Sequence, residues 1–342
     1  MSMPFQSHWR DNAQDLLEGR LRGGNTPRMK KINIIGGGAW GTALATVAKR
    51  AGRDVTLWAR EADVADAINT QHRNTLFLPD VELDPGISAT DDLATAAKAD
   101  ALLLVVPSQF LRTTCEALAP HVAKGTPLVI CAKGIEMATG ALMNEVAEAA
   151  LPGRPLAALS GPTFAIEVAR ELPTGVTLAC NDAALGNQLS EALSTPRFRA
   201  YHSSDLIGAE IGGAVKNVLA IACGIVEGCG LGDNARATLI TRGLVEMARL
   251  CAAKGGNPET LMGLSGIGDL TLTCNAMQSR NFSLGVALGQ GRTLKEILAE
   301  RNSVAEGVDT AGAISALADR LVLDMPICRA VQAVVHGDAR ID

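Results

Sequence analysis

Aromatic residues are scarce in this chain, with three Trp, one Tyr and six Phe among 342 residues. The 47% hydrophobic content is therefore mostly Ala, Val, Leu and Ile, and with 20% charged residues it describes a helix-rich α/β protein and excludes disorder. An excess of positive charge is also lacking: 31 Lys and Arg stand against 36 Asp and Glu, a net −5. No field over the whole molecule favours nucleic acid or an anionic membrane, so an anionic ligand must meet a local basic pocket. Unbroken apolar stretches such as 218–226 fall far short of the roughly 20 residues that span a bilayer. Neither a transmembrane helix nor a secretory segment is expected.

The eight cysteines, at 115, 131, 180, 223, 229, 251, 274 and 328, form no C-x-x-C pair and have no histidine at metal-ligand spacing. Free, mostly buried thiols of a cytoplasmic protein are the expectation, and no metal site is proposed. The five histidines (8, 72, 121, 202 and 336) stand apart, so no Ser-His-Asp arrangement can be argued. The length suits two domains and rules out hormone-sized and small disulfide scaffolds.

Residues 1–28 differ from the rest of the chain. They mix Arg10, Arg20, Arg22 and Arg28 with Asp11, Asp15 and Glu18 and show little apolar periodicity. A poorly ordered extension is predicted; the acids count against a mitochondrial transit peptide, and Met29 is an alternative start.

From residue 29 onward, short apolar runs at 31–35, 54–58, 101–106, 127–132, 156–160 and 175–180 alternate with Ala-rich helical stretches. Continuously apolar strands separated by helices imply a parallel sheet covered on both faces, a doubly wound α/β domain over 29–203. After about residue 204 the strand signal stops. Long Ala/Leu/Val stretches at 208–228, 234–254, 279–288 and 304–319 predict an all-helical domain over 204–342, carrying the substrate and catalytic groups across a cleft.

Gly36, Gly38 and Gly41 stand in G-x-G-x-x-G spacing directly after the first strand and at the start of a helix. That spacing suits a dinucleotide: the glycines allow a tight turn and close backbone approach to pyrophosphate, and the helix N-terminus attracts the anion. The second strand ends in Arg60, where an NAD-selective site usually has Asp or Glu. Arg60 therefore suits a 2′-phosphate and a preference for NADPH, although Glu61 is adjacent.

Lys133 follows the 127–132 strand, at the edge where such sheets bind ligands; on position alone it is as readily a solvated loop lysine. Lys216 is more unusual, because the 208–228 window holds only Glu210, Lys216 and Glu227 as charges. Such a lysine either snorkels to an edge or sits in a cleft, where burial lowers its pKa and suits it to proton transfer. Ser279-Arg280-Asn281 precedes a short helix, which suits phosphate binding or simple capping beside a surface arginine. The glycine-rich turn 266–268 presents Asp269.

Together these segments resemble the NAD(P)-dependent glycerol-3-phosphate dehydrogenases of the soluble bacterial type. The resemblance runs from about residue 29 to the C-terminus. It rests on G-G-G-A-W-G-T-A-L-A (36–45), F-L-P (77–79), A-K-G-I-E (132–136), L-S-G-P-T-F-A-I-E-V-A (159–169), G-G-A-V-K-N (212–217), I-T-R-G-L-V-E-M (240–247), G-L-S-G-I-G-D-L (263–270) and S-R-N (279–281). It implies a Rossmann domain followed by a helical one, and reduction of dihydroxyacetone phosphate to sn-glycerol 3-phosphate by NADPH or NADH. The product is the precursor of glycerophospholipids.

The resemblance further implies Lys216 as the proton donor or acceptor at the substrate C2 oxygen. Lys133 would touch substrate and cofactor, and Asp269 would bind the substrate and orient the lysine. Gly161, Thr163, Ser279, Arg280 and Asn281 fall where relatives bind the substrate, the last three around its phosphate. Ala39, Trp40, Ala165, Arg280, Val304 and Glu306 fall where relatives line the cofactor. Small Ala and Gly surfaces in the helical half suit a homodimer. Two rivals differ in class: another phosphorylated hydroxyacid dehydrogenase, such as the 6-phosphogluconate enzymes, and a NAD(P)H-binding sensor or scaffold without turnover.

Overall fold

The structure is a computed structural model, and it describes residues 29–300, 305–337 and 339–341. The 1–28 extension and Val304 lie outside the described residues.

One eight-stranded sheet organises the first half: β1 (Ile32–Ile35), β2 (Val55–Trp58), β3 (Ile87–Thr90), β4 (Ala101–Leu104), β5 (Leu128–Ile130), β6 (Leu156–Ser160), β7 (Thr174–Ala179) and β8 (Phe198–Ser203). Its order is β3-β2-β1-β4-β5-β6-β7-β8. Every residue of β1, β4 and β5 is buried, as expected for strands covered on both faces. The helices between strands are α1 (Ala39–Arg50), α2 (Ala62–Gln71), α3 (Leu93–Ala96), α4 (Leu111–Leu118), α5 (Met143–Ala150), α6 (Ala165–Ala169) and α7 (Ala183–Leu193). The chain runs outward from β1 to β3, then restarts at β4 on the other side of β1. The C-terminal ends of β1 and β4 therefore flank the point where the order reverses, the place where such sheets bind ligands.

Two strands were not anticipated, and both are edges. β3 (Ile-Ser-Ala-Thr) and the start of β8 (Phe-Arg-Ala-Tyr) alternate buried and more open residues, so neither carries the continuous apolar run of a central strand. The sheet is also not wholly parallel, because β7 runs antiparallel to β6. The 161–173 connection holds only the five-residue α6 and turns the chain straight back. That return lays Gly161, Thr163 and Ala165 along the ligand edge of the sheet.

Beyond β8 the described residues are helical: α8 (Leu206–Gly228), α9 (Asp233–Ala253), α10 (Asp269–Cys274), α11 (Arg280–Gly289), α12 (Leu294–Ala299), α13 (Glu306–Arg320) and α14 (Pro326–His336). By length and composition α8 could cross a membrane, yet 94% of its most apolar window is buried inside the protein. It is a core helix. Its first turn joins Leu206 and Ala209 to the core beneath the sheet, whereas Ile211 through Cys223 form the centre of the helical core. Glycines allow α11 to lie backbone to backbone on α8: a Cβ at Gly285 would stand 2.9 Å from the Cα of Gly224. All eight cysteines are free, and only Cys229 is exposed.

Candidate active site

Three charged side chains from distant parts of the chain meet between sheet and helices. Lys133 follows β5, Lys216 lies midway along α8, and Asp269 opens α10 after a π-turn at Leu264–Gly268. Asp269 is fully buried and binds both ammonium groups, Lys216 at 2.5 Å through Oδ1 and Lys133 at 2.7 Å through Oδ2. Thr273, one turn further along α10, accepts a hydrogen bond from Lys216 at 2.9 Å. Lys133 also donates to the carbonyl of Gly161 at 3.2 Å, and the Thr163 hydroxyl donates to the same oxygen at 3.3 Å. Lys216 is therefore the cleft lysine of the two readings its sequence allowed.

Burial pushes the Lys216 ammonium down to about 8, with Lys133 adding to the shift and Asp269 opposing it. A lysine tuned so close to neutrality can give or take a proton at working pH. Glu306 heads α13 within the same field: burial raises its pKa, while Arg280, the amide of Ser108, Lys133 and Lys216 pull the other way.

Beside this cluster the chain turns from β1 into α1 through Gly36, Gly37 and Gly38. Gly36 has φ +132°, and a Cβ there would lie 2.7 Å from the carbonyl oxygen of Val105. Its lack of a side chain lets the loops after β1 and β4 touch. At Gly38 a Cβ would meet nothing within 4 Å, and α1 has no side-chain cap. The turn is open at Gly38 and leaves the first amides of α1 without a side-chain cap, which fits the pyrophosphate of a dinucleotide. Ala39 and Trp40 pack against the sheet core, and the Trp40 indole nitrogen is buried without a partner among the described residues.

Residues 31–186 match the family model for the NAD-dependent glycerol-3-phosphate dehydrogenase N-terminus, and residues 205–342 match that for its C-terminus. A Rhodospirillum rubrum protein named glycerol-3-phosphate dehydrogenase [NAD(P)+] is 63% identical over 308 residues, covering 90% of this chain and 88% of that one. The Parvibaculum lavamentivorans protein of the same name is 58% identical over 313 residues, covering 92% and 94%. A solved glycerol-3-phosphate dehydrogenase from Coxiella burnetii superposes with a TM-score of 0.88 at 41% identity, covering 92% and 96%. The chain belongs to the NAD-dependent glycerol-3-phosphate dehydrogenase family. It is an NAD(P)-dependent oxidoreductase.

Within that dehydrogenase frame the remaining sequence-predicted residues take specific places. Arg60 leaves the end of β2 with its side chain 75% exposed and paired to Glu61 at 2.8 Å, beside the glycine turn. Ala165 begins α6 on the return loop. Ser279 caps α11, its hydroxyl accepting from Phe282 N at 3.2 Å, so the capping reading describes its side chain. The Asn281 amide is also used internally: it donates to Asn217 at 3.0 Å and accepts from Gly307 N at 3.0 Å. It thereby ties the residue after Lys216 to the residue after Glu306. Both side chains thus have a structural role at this end of α11, beside Arg280.

Sequence reasoning missed Thr273 and Asn217. The i, i+4 spacing of Asp269 and Thr273 was a usable signal once α10 was assigned as a helix. The Asn217–Asn281 bond had none, since 64 residues separate the partners.

Proposed function

We propose that Lys216 is the general acid and base of this enzyme. The activity is NAD(P)-dependent interconversion of dihydroxyacetone phosphate and sn-glycerol 3-phosphate, and it feeds glycerophospholipid synthesis. A bound reduced nicotinamide supplies the hydride at the carbonyl carbon. Lys216, as ammonium, donates a hydrogen bond to the ketone oxygen and transfers its proton as alkoxide character develops. Asp269 keeps the ammonium aimed into the cleft, and Lys133 adds positive charge beside the same oxygen. Arg280 and the first-turn amides of α11 hold the phosphate, which orients the reacting carbon. Gly36, Gly38, Ala39, Trp40 and Gly41 would hold the dinucleotide, with Ala165 and Glu306 also lining it.

The observation that carries this reading is the buried carboxylate of Asp269 gripping both lysines at the mouth of the sheet. In division of labour, 29–203 binds the cofactor and 204–342 supplies the proton and phosphate sites. Arg60 favours NADPH, with NADH also used. The enzyme works in the cytoplasm, as a homodimer. The deciding assay is nucleotide oxidation with dihydroxyacetone phosphate, run with NADPH and with NADH. No turnover with either nucleotide removes the reading, and a large kcat/KM advantage for NADH removes the Arg60 assignment alone.

A further inference from the structure

We infer that Asn74 is a positioning residue for the cofactor: it sets the glycine turn so that two backbone amides face the dinucleotide phosphates. The inference rests on the proposal that this turn holds the dinucleotide. Asn74 lies beyond α2 in the segment that returns toward the sheet, and it is wholly buried. Three bonds define its amide. Nδ2 donates to the carbonyl of Gly37 at 2.7 Å and to the Thr42 hydroxyl at 2.8 Å, while Oδ1 accepts from Phe77 N at 3.0 Å. The Asn74 carbonyl accepts from Leu78 N at 3.0 Å, which fixes the loop that carries the side chain.

The Thr42 hydroxyl passes the constraint on by donating to the carbonyl of Gly38 at 2.9 Å. Two successive carbonyls, of Gly37 and Gly38, are thus drawn to one side of the turn. In a trans peptide the carbonyl and the following N–H point in opposite directions. Pinning the Gly37 carbonyl therefore aims the Gly38 amide the other way, and pinning the Gly38 carbonyl does the same for the Ala39 amide. Neither amide has a hydrogen-bond partner among the described residues, and a Cβ at Gly38 would meet nothing within 4 Å, so the turn is open there. Both amides are donors that α1 leaves uncapped, and in this orientation they need no reorganisation to meet an anion.

Few side chains can replace Asn here. Two donors and one acceptor are in use at once, a set that Asp, Ser and Thr do not have. Asp of the same shape would set a carboxylate against the Gly37 carbonyl and put a negative charge beside the phosphate site.

The test is fluorescence titration of NADPH and NADH into wild type, Asn74→Ala, Asn74→Asp and Thr42→Val, with steady-state kinetics on each. In Asn74→Asp the Kd for both nucleotides should rise about tenfold or more. KM for dihydroxyacetone phosphate and kcat at saturation should stay within about twofold of wild type. Lowering the pH should bring Asn74→Asp back toward Asn74→Ala, because protonation restores one donor and removes the charge; Asn74→Ala itself should show no such recovery. Thr42→Val should raise Kd about threefold, and its effect in an Asn74→Ala background should be smaller than in wild type. Where the Asn74 variants fail to fold, the Thr42→Val titration decides. Unchanged nucleotide affinity in the folded variants overturns the inference, as does a loss shared equally by ketone KM and kcat. Failure of wild type to bind either nucleotide overturns the proposed function instead, so the two failures are distinct.

Discussion

Lys216 and Asp269 meet at 2.5 Å across 53 residues of sequence, the carboxylate fully buried and the lysine almost so. An ion pair this deep is not a stability device by default, because removing two charges from water offsets much of their attraction. Its use here lies in setting a proton. Burial drives the ammonium toward neutrality, the carboxylate limits how far it goes, and the balance is a lysine titrating near about 8.

Replacing Lys216 with Ala should therefore remove proton transfer while leaving the glycine turn intact. Expected is a fall in kcat of about 10²–10⁴-fold in ketone reduction, the usual contribution of one general acid. NADPH affinity, measured by titration, should change little. Near-normal turnover in the folded variant refutes the assignment.

The pH profile carries a sign. Reduction uses the ammonium form, so its rate should be level below about 8 and decline above it. Oxidation of the product uses the neutral amine and should rise with pH until about 8. Asp269 favours the charged form, so in Asp269→Asn the Lys216 pKa falls further and the alkaline limb of reduction moves to lower pH. A limb that stays in place in Asp269→Asn shows that some other group sets it.

How much of this could be read from residues alone depends on the range of the signal. The glycine turn is local, since strand, spacing and helix fall within about ten residues. Lys216 stood out because a single positive charge in a long apolar window has few explanations. The partnership of Lys216 with Asp269 spans 53 residues and is a product of folding; only the family resemblance pointed to Asp269, and only the i, i+4 spacing led from it to Thr273. Edge strands β3 and β8 were hidden because one of their faces is more open, which dilutes the apolar run. Ser279 and Asn281 show another limit: polar side chains at a phosphate-like motif also carry internal hydrogen bonds that sequence does not reveal.

Arg280 offers a test that separates phosphate recognition from chemistry. Arg280→Ala should raise KM for dihydroxyacetone phosphate by about 10–100-fold, the range for a lost charged hydrogen bond, with a smaller effect on kcat. Lys in its place should restore only part of the affinity, because a point charge lacks the planar fork. Unphosphorylated dihydroxyacetone is the control: its weak turnover should be nearly the same in wild type and Arg280→Ala. An equal loss on both ketones would mean that the arginine serves the fold or the cofactor.

Glu210 bears on stability rather than catalysis. It lies six residues before Lys216 on α8, buried, with Oε2 accepting from Asn144 N at 3.3 Å and Oε1 without a partner among the described residues. Burial pushes its carboxyl up to about 8 from an ordinary 4.5; the Asn144 amide and Lys254 oppose the rise and Glu145, itself paired with Lys254 at 2.7 Å, adds to it. Between those two values the folded protein holds a proton that the unfolded chain has released. Stability therefore falls as pH rises through that window, by about 1.4 kcal/mol per unit at most. Above about 8 the folded carboxylate ionises too and the penalty stops growing. Gln has the same shape and never ionises. Glu210→Gln should thus melt close to wild type near pH 4.5 and progressively above it toward pH 8, after which the gap stays constant. A melting-temperature difference that does not change with pH would show that Glu210 is already ionised in the folded protein at neutral pH.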